Sequence, residues 1–192
     1  GYRNGTMYSS YTASSFSKIY DLASDYGINL LGVVTWAFEF EDQPWFHGFR
    51  DLSTNGVDKP VLNVFRMFGM MGEMRVEALS DSGFSWKQVV ESGVRAEKTD
   101  VGAIASKGTD FASVMFWNYH DDDKITPDAA VKFDIKGIPA GKVKITQFRV
   151  DKDHSNSYEV WKEMGSPQSP SPEQYAELEK SGMLGMYGKS AK

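Results

Sequence analysis

The sequence predicts an α+β chain in three stretches: a piece of a β/α barrel, an antiparallel β-sandwich and a helical C-terminal tail. Three observations predict it. The run Ile28–Phe38 is apolar without alternation, lies between two segments of helical period, and ends at Glu39, Glu41 and Asp42. A strand apolar on both faces is the kind buried in a parallel sheet. Near residue 75 the period changes to two, over roughly six short segments separated by turn residues. After Val150 the chain turns polar and carries two helix-start signatures. The expected boundaries are 1–73 for the barrel portion, 74–150 for the sandwich and 151–192 for a tail packing back on both.

Residues 12–26 have the first helical pattern, with Phe16, Ile19, Tyr20 and Ala23 on one face. Thr12 or Ser14 is the expected cap, and Gly27 suits the left-handed position after the end. The strand from Ile28 follows at once. Its tip, Thr35-Trp36-Ala37-Phe38-Glu39, meets a long connection over 41–59 that carries Trp45, Phe46, His47, Phe49 and Arg50. Connections of that length are functional or disordered, and this one is too aromatic for disorder. Pro60 opens the next helix, 60–71, with Val61, Val64, Phe65 and Phe68 as its stripe and Gly72 as its stop. Helix, strand, loop and helix make one and a half β/α units, which close no sheet alone.

The alternating segments are Arg75–Leu79, Phe84–Val90, Val101–Ser106, Phe111–Asn118, Ala130–Ile135 and Lys142–Val150. Turn chemistry bounds them at Asp81–Gly83, Lys107–Gly108, Asp121–Asp123 and Gly137–Gly141. Asn156 and Glu159 read as a capping box before a helix at 158–164, and Ser171, Pro172 and Gln174 as another before a helix at 172–181. Residues 165–172 form a stiff linker, and 185–192 are expected to fray.

Composition narrows the function. The 192 residues are 41% hydrophobic and 14% aromatic, with formal net charge -5. That charge argues against a phosphate-backbone binder, so nucleic acid is not an expected partner. No run approaches the roughly 18 apolar residues of a membrane span, so no membrane partner is expected. There is no cysteine, hence no disulfide framework or thiolate metal site, and the compartment stays open. His47, His120 and His154 lack the i, i+4 partner of a helical zinc site, so neither a metal nor a cofactor is expected. Gly185–Ser190 echoes a phosphate loop, but Met183 stands where the motif needs glycine.

The carboxylates at the strand tip remain. Period two puts Glu39 and Glu41 on one face, opposite Phe38 and Phe40. Two acids beside Trp36 suit general acid/base work on a glycosidic bond. They suit equally the acceptance of hydrogen bonds from sugar hydroxyls, and the residues alone leave both roles open, as well as a plain core strand surfacing at an acidic turn.

The run TWAFEFEDQPWFHGFRDLSTNGVDKPVLNVFRMFGMMG, Thr35–Gly72, closely resembles the eighth strand, loop and helix of glycoside hydrolase family 39 β-xylosidases. FWNYHDDD at Phe116–Asp123, the HSN…W…MGSP tail within Phe148–Gln174 and the YRNGTMYSSYTAS start resemble the same family. The resemblance implies a retaining glycosidase, with the last β/α unit of a (β/α)8 TIM barrel followed by the sandwich. In that family the acid/base and nucleophile glutamates follow strands four and seven, so both would precede Gly1 and the chain holds no catalytic residue. The implied partners are a xylo-oligosaccharide or aryl xyloside and an N-terminal barrel segment. The implied substrate-binding residues are Trp36 on the sugar-pocket floor, Glu41 or Glu39 on the sugar hydroxyls, and Phe46 and His47 on the rim. Two other functions fit less well. A carbohydrate-binding or scaffolding module wants an exposed row of aromatics on a strand, and an α-L-iduronidase-like enzyme wants more basic residues than Arg50 to meet a uronate.

Overall fold

The computed structural model of the chain describes residues 2–95, 97–124, 128–139 and 141–188. They form an α+β structure with five helices, a two-stranded hairpin and a three-stranded antiparallel sheet.

Helix α1 runs Thr6–Asp25. It starts earlier than its apolar spacing predicts, and Gly5 occupies the N-cap without a side-chain bond. Thr12 and Ser14, the expected caps, lie buried inside it. Thr12 Oγ1 donates to Tyr8 O at 2.8 Å and Ser14 Oγ donates to Asp100 Oδ2 at 2.7 Å. A hydroxyl satisfied in this way need not end a helix. The buried face is small and polar, with Ala13, Ser14, Ser17 and Lys18, while Tyr20 of the expected stripe is exposed. Phe16 turns to α2, 5.5 Å from Phe65 and 5.2 Å from Phe68 by ring centroid. Gly27 takes the left-handed position as expected, at φ 63°.

Helix α2, Pro60–Gly69, begins at Pro60 and buries Val61 and Val64. It stops before Gly72, which has another reason to be glycine. A Cβ there would stand 2.2 Å from the Lys107 carbonyl carbon. Gly72→Ala is therefore expected to cost about 1–3 kcal/mol by overpacking against backbone that cannot yield. An unchanged urea midpoint for this variant would contradict the close approach.

Strands β3 (Met74–Val76), β4 (Asp100–Lys107) and β5 (Ala112–Tyr119) pair in the order β3-β4-β5. Met74 faces Lys107, and Asp100 faces Tyr119. Three of the six expected strands thus form, in one sheet, among the described residues. Phe84–Val90, expected as a strand, runs instead into helix α3, Trp86–Ser92. Ser85 and Gln88 close a full capping box there, a local signal that outweighs the alternation. Ala130–Ile135 and Lys142–Val150 keep their alternation without joining the sheet among the described residues: Val131, Phe133, Val143 and Ile145 are exposed, and the second segment meets the C-terminal stretch in an antiparallel bridge from Phe148 to Met186. Of the expected 137–141 turn, Ala140 lies outside the described residues.

Helices α4 (Ser157–Glu163) and α5 (Pro172–Gly182) form where their caps predict. Asn156 accepts from Glu159 N, and Ser171 and Gln174 complete a reciprocal box. The expected fraying does not reach Tyr187, whose N–H donates to Gln147 O at 2.7 Å. Residues 189–192 lie outside the described residues.

Three apolar clusters hold these parts together. Ala13 and Val64 pack with Val94, Ile104, Met115, Trp117 and Tyr119 under the sheet. Trp45, Phe46 and Val57 pack with Trp161 and Leu178 of the tail. Tyr8, Leu52, Val61 and Leu62 join α1 to α2. Asn63, wholly buried, ties α2 to the tail by donating to Gly182 O at 2.7 Å and Ser155 O at 3.1 Å.

Candidate functional site

The acidic tip at 36–47 is built on the connection that follows it. Ser53–Thr54 (β1) and Val57–Asp58 (β2) form a hairpin whose turn, Asn55-Gly56, has φ 48° and 80°. Two successive left-handed residues are what a tight two-residue hairpin requires, and Asn-Gly is its usual sequence. That dipeptide signals the hairpin inside what otherwise reads as one long loop. Tyr175 of α5 covers the turn, donating to Asn55 O at 3.2 Å.

Glu39 is bound into this hairpin. Its carboxylate accepts from Ser53 Oγ, and both its oxygens lie 3.1 Å from Gly56 N. The neighbouring carbonyl, Phe38 O, accepts from Leu52 N at 2.8 Å and Ser53 N at 3.0 Å. Beneath lies a buried ion pair: Lys59 Nζ donates to Asp51 Oδ1, with Lys59 1% and Asp51 4% exposed. Burial lowers the Lys59 pKa, against the opposite pull of Asp51 and, more weakly, Glu39. Sequence reasoning passed over this pair, because nothing in the spacing of Asp51 and Lys59 says that both are inside.

The five candidate residues do not share one environment. Trp36 stands 82% exposed, on a segment that carries no ladder. Ile28–Phe38, expected as a strand, joins no sheet among the described residues and is held at its end by Phe38 O; Leu31 and Val34 are 90% and 94% exposed. Glu39 is half-buried and committed to the hairpin. Glu41 is exposed, and its carboxylate holds no hydrogen bond among the described residues. Phe46, expected on the rim, is 5% exposed. Its ring lies 4.9 Å from Trp161 and 5.2 Å from Tyr158, and its backbone is fixed by Asn4 and Thr54. The tail supplies a core there, so Phe46 is a support of the rim rather than its surface. His47 is exposed and starts a row of rings: His47 to Phe49 at 4.7 Å, Phe49 to Phe40 at 5.0 Å.

The backbone of the stretch is unusual. Ala37, Asp42 and Phe46 all take left-handed φ, at 57°, 56° and 49°. Such residues cost on the order of 1–3 kcal/mol each and persist where surrounding structure over-determines them, often at functional sites. Chemically, the stretch carries a free carboxylate, an exposed indole and a row of rings, and Glu39 ties it to the hairpin. It suits binding of a polyhydroxylated ligand, with rings for C–H faces and an acid for hydroxyls. Among the described residues no group of acids and histidines is arranged to hold a metal ion.

The model of a family described as glycosyl hydrolases family 39 matches residues 1–182. No curated protein matches the chain.

Proposed function

Because the chain belongs to glycosyl hydrolases family 39, we propose that it is the pocket-wall and bracing part of a retaining β-xylosidase that removes β-1,4-linked xylose from xylo-oligosaccharides or aryl xylosides. Family membership implies a glycoside hydrolase; the sugar, the stereochemistry and the division of labour are the proposal. In it, residues 1–73 complete a (β/α)8 barrel, 74–150 belong to a sandwich and 151–192 brace both. The exposure of Leu31 and Val34 supports the first part, since a strand apolar on both faces is stable only between neighbours. Residues 1–73 and 74–150 nonetheless share one core, through Ala13 and Val64.

The observation that carries the site reading is the difference between the two glutamates. Ser53 and Gly56 occupy the Glu39 carboxylate, while that of Glu41 is open to a ligand. We therefore give Glu41 the sugar hydroxyls, Trp36 the sugar face, His47 and Phe49 the rim, and Glu39 the task of holding the tip on the hairpin. The reacting pair of a retaining enzyme stands about 5 Å apart across the sugar. In this proposal both members come from polypeptide outside these residues, and the purified 192-residue chain releases no xylose from an aryl xyloside.

The test is Glu41→Ala in the full-length protein. A carboxylate accepting hydroxyl bonds contributes about 1.5–3 kcal/mol, so kcat/KM should fall roughly 10- to 100-fold. Thermal stability should stay within about 0.5 kcal/mol, as for other exposed positions. Unchanged kcat/KM removes Glu41 from the pocket.

A further inference from the structure

Where α1 meets α3, an aromatic pair stands on the surface outside all three core clusters. Tyr26, just past the end of α1, is 67% exposed. Its ring centroid lies 5.8 Å from that of Trp86, with the planes at 58°. Trp86 is held rather than loose. It opens α3 behind a closed capping box, and its indole N–H donates to Asp25 Oδ2 at 2.9 Å. Lys87 Nζ lies 5.3 Å from the Trp86 ring centroid and 3.9 Å from Asp25.

The strip continues one helical turn back. Asp21 shares a face of α1 with Asp25, four residues on. It accepts from Arg75 at 2.6 Å, and Arg75 in turn lies 5.9 Å from the ring of Tyr20, itself 40% exposed. The exposed rings of Tyr20 and Tyr26 and the partly buried ring of Trp86 therefore alternate with charges that are already paired: Asp21 with Arg75, Asp25 with Lys87.

That chemistry selects a ligand. The four charges cancel, so neither an anion nor a cation finds an unmatched field. An apolar partner would have to desolvate two ion pairs, which is costly. A neutral polyhydroxylated chain meets neither penalty. Its C–H faces cover the rings, and its hydroxyls bond to carboxylates and N–H groups that stay paired with one another. The fixed Trp86 adds affinity by losing little rotamer freedom on binding.

We propose that Tyr20, Tyr26 and Trp86, with Asp21, Asp25, Arg75 and Lys87, form a second glycan-binding surface, which holds a neutral polysaccharide chain of the xylan type. The site rests on the reading of this protein as a glycosidase acting on xylose-based glycans. It lies on residues other than the 36–47 stretch, so the two fail separately.

The experiment is affinity electrophoresis of the full-length protein in native gels cast with and without soluble xylan, read for wild type, Tyr26→Ala and Tyr26→Phe. Xylan should retard wild type. Tyr26→Ala should weaken retardation about tenfold, the size of one ring contact, and Tyr26→Phe should preserve it. Aryl-xyloside hydrolysis should be unchanged in both variants. Tyr26 is exposed enough that its truncation leaves the fold intact, which a matched melting temperature verifies. Wild type that runs alike with and without xylan, or Tyr26→Ala retarded as strongly as wild type, overturns the inference. The pocket reading falls only if Glu41→Ala keeps full hydrolytic activity.

Discussion

Asp100→Ala is expected to destabilise the chain by about 3–5 kcal/mol, the usual result of stranding a buried cation. Asp100 is 0% exposed, and both its oxygens accept hydrogen bonds. Oδ2 accepts from Lys18 Nζ at 2.5 Å, Ser14 Oγ at 2.7 Å and Trp117 Nε1 at 2.8 Å; Oδ1 accepts from Phe84 N at 2.7 Å. One carboxylate thus joins α1, β5 and the turn before α3 through the first residue of β4. Without it, the Lys18 ammonium stays buried and uncompensated beside three other donors that lose their acceptor. Asp100→Asn keeps the volume but offers Lys18 no charge, so it should recover only part of the loss. Urea unfolding reads this directly, and a loss for Asp100→Ala below about 1 kcal/mol would contradict the network. The pH dependence follows from the same contacts. Burial raises the Asp100 pKa, but Lys18, Phe84 N–H, Ser14 and Trp117 together outweigh it, and the carboxyl sits below its usual value. A folded pKa below the unfolded one means stability fully present above about pH 4 and lost as pH falls towards the folded value. The Asp100→Asn variant should lack that part of the acid limb.

Asp51→Ala should have a comparable effect at a second buried ion pair. Lys59 is 1% exposed, and Asp51 is the acceptor of its ion pair. Truncating Asp51 leaves a buried ammonium with only the weaker pull of Glu39, again at about 3–5 kcal/mol. The mechanism predicts a rescue. Asp51→Leu combined with Lys59→Met removes both charges, and a buried pair replaced by apolar groups of similar volume is often neutral. The double variant should therefore be closer to wild type than either single variant. Additive losses in thermal unfolding would mean that the residues do not act as a pair. Because the hairpin over this pair also holds Glu39, the double variant tests the support of the acidic tip without touching Glu41.

Some of this architecture is written in short stretches of chain. Ser171, Pro172 and Gln174 start α5, and Asn156 starts α4, because a cap needs only residues within one turn. Pro60 and Gly27 act equally locally. Ser85 and Gln88 carry the same information, yet the alternation around them points to a strand, and the local box prevails. Lys18, Ser14 and Asp100 are different. They meet across more than 80 residues of chain, and no spacing rule brings them together.

Family membership, the mild acidity and the starts of α2, α4 and α5 were determined by the sequence alone, since each depends on residue identity or on neighbours within a turn. Tertiary structure decided what the polar and aromatic residues do. It put Phe46 in a core made by the tail, gave the Glu39 carboxylate to a hairpin, left Glu41 open, and buried two ion pairs. Those outcomes depend on which distant segment arrives to cover a side chain, and burial by a distant segment leaves no trace in the local pattern.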